Sequence, residues 1–519
     1  MKSLRRSAVW MAVLLVISKL MGVVREICVA QQFGTSYIVD AYTVSASLPA
    51  VLFTLFAKGF SESYLPTHVR TAMHKREQLF NNTLTILTAA SFALIALALL
   101  LSRPIAQLLA PGFDLRSSEL TVFFIRIVVF QLPFFTAFAL FSARVSAEED
   151  FTVPNFCNFI VVNLVLIASV YCASEDAPAP LAFGFVLSAV LALAILALYA
   201  RRRYAIRFRP VFAPCDGDFR QLVSLAIPLG VSLLVNQLNT VIDRMFSSAL
   251  GEGITSALGY ADKIQSTLLT LTTAIFLSVC YPRMNRYFAE NDREGAMSYA
   301  RRAVMIACYT SIPLTVLFAV YAEPLIRFVF ERGSFTAQST QYTAVCLRFY
   351  SFGILFFAIR TVLNNVLAAN TKQSLILKNT AITVACNVAL NAVLVRVMGY
   401  AGLALATSLA GLLACVLMYR DIRKMGLRLF VRSQRRDLWI ILLCTAFALG
   451  VSLLLFRPLN ARFGSNIAIF FTSAFSALGY VALSIPLQPD ILLWLYAHLP
   501  KRLQILPFYN RKIGENTHE

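Results

Sequence analysis

About fourteen apolar runs, each near 20 residues long, follow one another along this chain, and that repetition restricts the fold more than any other feature. A helix needs about 20 residues to cross the hydrocarbon of a bilayer. Lipid supplies no hydrogen-bond partner for an open sheet edge, so such runs are helices. They begin near Ser7, Tyr37, Leu79, Leu120, Asn155, Leu181, Phe219, Ile254, Ala300, Gln341, Leu375, Ala401, Leu438 and Asn466. Composition agrees: 58% of the residues are hydrophobic and only 14% are charged, where a soluble domain carries about 25% charged residues. The sequence therefore predicts an all-α integral membrane protein of about 14 transmembrane helices.

The net charge of +20 suggests nucleic acid, but the bases sit in short segments between apolar runs and form no binding face. No nucleic-acid partner is expected; the partner is the lipid bilayer. Alternate loops differ sharply in charge. One set holds Arg70, Lys75 and Arg76, then Arg201, Arg202, Arg203, Arg207 and Arg209, then Arg283, Arg286 and Arg293, then Arg420, Arg423, Lys424, Arg428, Arg432, Arg435 and Arg436. The other set holds only pairs such as Arg103 with Arg116 and Arg327 with Arg332, and includes the acidic CASEDAPAP. Lys2, Arg5 and Arg6 and the tail residues Lys501, Arg502, Arg511 and Lys512 fall on the rich side. By the positive-inside rule both termini are cytoplasmic. The N-terminal apolar run lacks a small-residue cleavage site, so it is read as a retained first helix. The ten cysteines show no paired spacing and read as small core residues.

A repeat runs through the chain. Asn155 and Asn163 frame NFCNFIVVN, and Asn379 and Asn387 frame NTAITVACN at a constant offset. SYLPTHVRTAMHKRE resembles CYPRMNRYFAENDRE at a slightly shorter one. The expected organisation is a six-helix lobe (1–203), a basic cytoplasmic linker (204–218), a second six-helix lobe (219–422), and two last helices with a cytoplasmic tail (423–519). Parallel pseudo-symmetric halves are a transporter architecture, with the substrate site expected between them.

Charges inside the spans mark the path. Lys19 and Arg25 lie in the first, Asp40 and Lys58 in the second, and Asp243, Arg244, Asp262 and Lys263 in the seventh and eighth. An ionisable group at membrane depth costs roughly 2.5–3.5 kcal/mol or more, so it faces a cavity or a partner. Lys19 and Arg25 suit a diphosphate, which Arg grips in bidentate fashion and Lys as a point charge. The alternative is snorkelling or a local pair, such as Arg25 with Glu26 or Asp40. In the second half Asp243, the i, i+4 pair Asn387 and Asn391, and Thr407 supply only oxygen ligands, which fits a sodium ion or a proton as coupling ion; a plain network of interhelical hydrogen bonds is the alternative. Asp262 with Lys263 reads either as a gate pair or as a cap and a boundary residue. No nucleotide loop, HExxH or GxSxG motif occurs, so no ATP-driven pump or hydrolase is visible, and neither catalytic residues nor a bound cofactor are expected.

These residues lead to a family. ISKLMGVVREICVAQQFGTSYIVDAYTVSASLP resembles the opening of the MurJ/MviN lipid II flippases, and NTVIDRMFSSALGEGITSALGYADKIQ is similar to their seventh and eighth spans. FERGSFTAQST and GYAGLALATSLA resemble a later loop and the twelfth span. The resemblance covers most of the chain. It implies a member of the MOP exporter superfamily, in which two lobes rock around a cationic cavity and the last two helices form a groove for the polyprenyl tail. It implies transport of lipid-linked peptidoglycan precursor across the bacterial inner membrane, in cell-wall biogenesis and the maintenance of cell shape, with cell-wall synthesis enzymes as partners. It further implies Lys19, Arg25, Asp40 and Lys263 as substrate-binding residues. It also implies Asp243, Asn387, Asn391, Leu403 (through its carbonyl) and Thr407 as a sodium site.

One departure widens the substrate. Members carry an adjacent Arg pair after LPN in the second span; this chain has SLPAVLFTLF, with Phe53 and Thr54 there and Ser47 where some members have Lys. A flippase for another polyprenyl-linked glycan, such as an exopolysaccharide precursor, is therefore an alternative to lipid II. Two further alternatives are a MATE-type small-molecule or cation antiporter, whose cavity should be acidic, and a membrane scaffold that recruits biosynthetic enzymes through its basic loops.

Overall fold

Each apolar run becomes a helix. The computed structural model describes residues 2–429 and 434–487, and every regular element among them is helical. In chain order these are α1 (Lys2–Phe33), α2 (Tyr37–Arg70), α3 (Arg76–Leu100), α4 (Ser102–Leu109), α5 (Leu115–Val128), α6 (Gln131–Ser146), α7 (Thr152–Cys172), α8 (Ala179–Tyr204), α9 (Gly217–Ser248), α10 (Ile254–Ala289), α11 (Arg293–Phe330), α12 (Ala337–Ala369), α13 (Gln373–Met398), α14 (Tyr400–Lys424), α15 (Gln434–Phe463) and α16 (Ser465–Leu487). Every expected span begins inside one of them. Eleven are long and apolar enough to cross a membrane, and α5 with α6, bent by 44°, makes twelve if counted as one span. The expected fourteen is not reached on that measure among the described residues; α1 and α10 stand outside it. The basic residues Arg432, Lys501, Arg502, Arg511 and Lys512 lie outside the described residues.

The helices are bent where the sequence permits. Two π-turns, Thr54–Lys58 in α2 and Cys157–Val161 in α7, interrupt the α-helical ladder. Near Pro313 and Pro324, α11 kinks at Tyr321, whose φ and ψ are −102° and 22°. Proline removes a ladder hydrogen bond and crowds the preceding turn, which accounts for such a kink.

By contact the chain divides into two compact units. The first comprises Met1–Thr267, Phe330–Cys346 and Val384–Ala406; the second comprises Leu268–Val329, Leu347–Thr383 and Thr407–Glu519. This division does not follow the expected boundaries at 203/204 and 422/423. It cuts across α10, α12, α13 and α14.

In the first unit, Tyr64, Phe80, Phe141, Leu196 and Leu222 form one buried core and Val44, Ile125, Val129 and Val241 another. Helices α2 and α9 approach closely. A Cβ on Gly59 would lie 2.4 Å from the Ala226 carbonyl oxygen, and one on Gly230 would lie 2.9 Å from that of Leu55. Only glycine permits that contact, the small-residue packing common between membrane helices. The basic linker after α8 is docked: the Arg209 and Ala213 N–H groups donate to Asn81 and Asn82 of α3 at 2.9 and 2.7 Å.

In the second unit, Met284, Met305, Leu363, Met418, Ile441 and Tyr480 share a core. Within it α16 is tied to α11: the Tyr480 hydroxyl donates to the Tyr309 carbonyl at 2.9 Å, and the Tyr309 and Ser484 hydroxyls lie 2.7 Å apart.

Candidate functional site

The π-turns border a cavity of the first unit. A π-turn inserts one residue into a helix and re-aims the side chains that follow it. Hydroxyls and amides cover nearby carbonyls: Thr54 donates to Ala50 at 2.7 Å, Ser61 to Lys58 at 3.1 Å, and Asn163 to Phe159 at 2.6 Å. Such local bonding keeps irregular backbone satisfied away from water. Between the two π-turns lies a cavity of about 530 Å3. Arg25 of α1, Phe53, Thr54 and Lys58 of α2, Gln131, Phe135 and Phe138 of α6, Asn158 of α7, and Phe185 of α8 line it.

Arg25 holds Glu26 in an ion pair of 2.6 Å, while its Nε has no hydrogen-bond partner. The local pair and the cavity position therefore coexist in one side chain. Lys19 and Lys263 join the same electrostatic neighbourhood: the charges acting on Lys263 are those of Arg25, Glu26, Lys19 and Asp262. The Lys263 ammonium also lies against α1, where a Cβ on Gly22 would sit 2.9 Å from Nζ. Gly22 thus makes room for Lys263, and α1 runs through it without a break. Asp262 and Lys263 are neighbours in charge without a direct ion pair; the charges near Asp262 include Arg244, Lys263 and Lys19.

Asp40 is placed differently from these cations. It is 1% exposed, absent from the cavity wall, and accepts the backbone N–H groups of Gly253 and Ser256 at 2.7 Å each. It therefore caps the first turn of α10. Around it lies a seal of polar contacts. The Tyr260 hydroxyl donates to the Gly34 carbonyl at 2.8 Å, the Thr35 and Ser339 hydroxyls lie 2.8 Å apart, and the Ser334 N–H donates to the Gln31 carbonyl at 2.9 Å. Gly34, Gly253 and Gly333 all have positive φ, and a Cβ on any of them would strike backbone of the facing loop. Arg244 adds to the closure by donating to the Thr43 carbonyl at 2.8 Å and to the Ser47 hydroxyl.

A second polar cluster is built on Asp243 of α9. Asn391 Nδ2 donates to Asp243 Oδ1 at 2.7 Å and to Asn387 Oδ1 at 3.1 Å, and Asn239 Nδ2 reaches Asp243 Oδ2 at 3.4 Å. Asn387 and Asn391 are fully buried, yet Asn387 Nδ2 and Asn391 Oδ1 have no hydrogen-bond partner. The structure thus brings Asp243, Asn387 and Asn391 together. Leu403 is buried in the first unit, and Thr407, one turn further along α14, begins the second. Among the described residues no group of three or more His, Cys, Asp or Glu is placed to hold a metal.

In the second unit, an apolar groove of about 340 Å3 is bordered by Leu271, Pro313, Leu317, Leu449 and Tyr480, so both α15 and α16 contribute to it. The π-turns, Asn158, Gln131 and the phenyl wall carry no signal in the sequence that marks them as a site. Phe53 and Thr54 stand out there only for the charge they lack, and Lys58 only as a charge in a span.

The chain matches the family model described as lipid II flippase MurJ over residues 29–474. A probable lipid II flippase MurJ of Rickettsia prowazekii is 26% identical over 87% of this chain and 90% of its own length. One from Rhizobium meliloti is 28% identical over 89% of this chain and 92% of its own. Among solved structures, a lipid II flippase MurJ in an inward closed conformation superposes with a TM-score of 0.80 at 20% identity, over 93% of this chain and 99% of that one. A multidrug resistance MATE transporter of the MOP superfamily, inward-facing, gives 0.65 at 13% identity over 79% and 94%; both likenesses bear on the fold.

Proposed function

The chain belongs to the lipid II flippase MurJ family, and we propose that it carries lipid II, a polyprenyl-diphosphate-linked peptidoglycan precursor, from the inner to the outer leaflet of the bacterial cytoplasmic membrane. The observation that carries this reading is Arg25, a cation inside an apolar span on the wall of a cavity, with Lys19 and Lys263 close by. A diphosphate leaving water needs such partners, and a guanidinium can hold two of its oxygens at once. The apolar groove beside α15 and α16 would receive the polyprenyl tail. No bond is made or broken in such a transfer, so the protein works as a flippase and not as an enzyme. Enzymes that make and polymerise the precursor would be its partners.

With both termini cytoplasmic, the seal around Asp40 is the outward end, and alternating access requires it to part. The charge asymmetry of the loops supports this orientation, which a reporter fused after Arg209 tests by reading cytoplasmic. Asp243, Asn387 and Asn391 fit a sodium ion or proton. One carboxylate and a buried amide oxygen without a partner are what a hard cation would take. The ion would neutralise Asp243. Phe53 and Thr54 on the cavity wall favour, as a second reading, a polyprenyl-linked glycan other than lipid II.

The test is complementation in cells depleted of their own flippase. Arg25→Ala and Lys19→Ala should fail at normal protein levels. Arg25→Lys should work partly, since each charge-assisted bond is worth about 1.5–3 kcal/mol and one of two is kept. Full complementation by both alanine variants would remove the anion site and the reading with it.

A further inference from the structure

Lys58 stands on the wall of the first-unit cavity, and among the described residues its ammonium makes no hydrogen bond or ion pair. It lies well inside α2, at the last position of the π-turn Thr54–Lys58. A cation at that depth without a partner is a functional-site candidate in its own right. It shares its cavity with Arg25, which is paired with Glu26 but keeps an unpartnered Nε, and with one carboxylate, Glu62, a turn beyond Lys58 on α2. Every lining residue comes from α1, α2, α6, α7 and α8, so the pocket lies wholly within the first half and not between the halves where repeat symmetry places a site.

We propose that this pocket within the first half takes the diphosphate and adjoining sugar of the substrate, and that Lys58 with Arg25 forms its two-cation anion clamp. The inference rests on the flippase reading and names the part of the substrate that enters. About 530 Å3 falls in the usual range of roughly 300–1,000 Å3 for small-ligand sites. That is room for a diphosphate and a sugar ring, not for a polyprenyl chain as well. Phe53, Phe135 and Phe138 offer flat apolar faces to the C–H side of a sugar, and Gln131 and Asn158 offer hydrogen bonds to its hydroxyls. The π-turn is the device that points Lys58 at the ligand, while Lys58 stays a point charge that accepts either phosphate.

The experiment measures binding of undecaprenyl diphosphate and of lipid II to the purified full-length protein by native mass spectrometry, beside complementation. Lys58→Ala and Lys58→Gln should weaken both ligands by about tenfold or more, with a shallower salt dependence, and Lys58→Arg should restore most of the affinity. Phe135→Ala should weaken lipid II more than undecaprenyl diphosphate, because only lipid II carries the sugar. If Lys58→Ala and Lys58→Gln bind both ligands as the parent does while Arg25→Ala does not, the clamp is wrong and the flippase reading stands. If Arg25→Ala also binds and complements normally, the reading itself falls. A folding defect is separated by thiol chemistry. The Lys58→Cys variant should react with a charged methanethiosulfonate, above the wild-type background, and undecaprenyl diphosphate should slow that reaction. A Lys58→Cys protein that reacts no faster than wild type, or reacts at the same rate with ligand, overturns the proposal.

Discussion

Replacing Asp40 with asparagine isolates the seal. The Asp40 carboxylate accepts two backbone N–H groups at 2.7 Å each, from Gly253 and Ser256, in a site from which water is excluded. Asparagine keeps one acceptor oxygen and turns an NH2 donor toward the other N–H. One charge-assisted bond is lost, worth about 1.5–3 kcal/mol, and a buried N–H is left without an acceptor. Taking about 3 kcal/mol as the combined cost to the sealed state, the equilibrium between sealed and open forms shifts by roughly 150-fold. A seal populated at about 99:1 would fall to near parity. The assay uses a cysteine pair, Thr35→Cys with Ser339→Cys, at hydroxyls now 2.8 Å apart. With Asp40 intact the pair should oxidise quickly to a disulfide that stops transport, and a reductant should restore it. With Asp40→Asn the crosslink should form about two- to threefold more slowly, in step with the sealed fraction, and complementation should drop. Equal crosslinking in both backgrounds, or a crosslinked protein that still transports, would refute the role given to Asp40.

Two further outcomes test the coupling ion and the topology. Asp243→Asn should remove sodium dependence of transport, because the single carboxylate of the oxygen cluster is gone; an unchanged rate in sodium-free buffer across a pH series, with an equally unchanged variant, would leave only a hydrogen-bond network there. A reporter fused after Glu175 should read periplasmic and one after Arg436 cytoplasmic, and a reversed pair would invert the side assigned to the seal.

The helices are legible in the sequence because lipid leaves the backbone no other way to satisfy itself. Arg25 and Lys19 are legible for a related reason, since a charge in hydrocarbon demands an explanation. Partners distant in sequence are not. Nothing in YIVDAY says that Asp40 will cap a helix beginning at Ile254, and its charge alone suggests a ligand. Nor does sequence periodicity reveal a π-turn, which is one residue of slippage inside an apolar run. The repeat is visible, but equivalent residues do different work. Asn163 bonds back to Phe159 beside a π-turn, whereas Asn387 joins Asn391 and Asp243. Ser47, where some family members have a lysine, accepts a hydrogen bond from Arg244, so the positive charge at that point comes from α9 instead of α2.

These pieces meet on α2. Asp40 sits at one end of it, Ser47 holds Arg244 further along, the π-turn places Lys58 on the cavity, and Gly59 lies against α9 directly afterwards. From Asp40 to Gly59 the helix runs roughly 28 Å at about 1.5 Å per residue. The Gly59–Gly230 crossing brings backbone against backbone, so it can pivot but has no slack to slide. The Asp40 contacts, by contrast, are two hydrogen bonds that end once the groups part by an ångström or so. A swing of roughly 10° about the crossing carries the far end about 5 Å over that length. Both Asp40 bonds and the Arg244 contact would break, while the packing next to Lys58 would barely change. Lys58, one residue from the crossing, would hold its place, while Ala50 and Ala46 on the same cavity wall would move by about 2–3 Å, so the swing that opens the sealed end would also reshape the cavity around a cation that stays put.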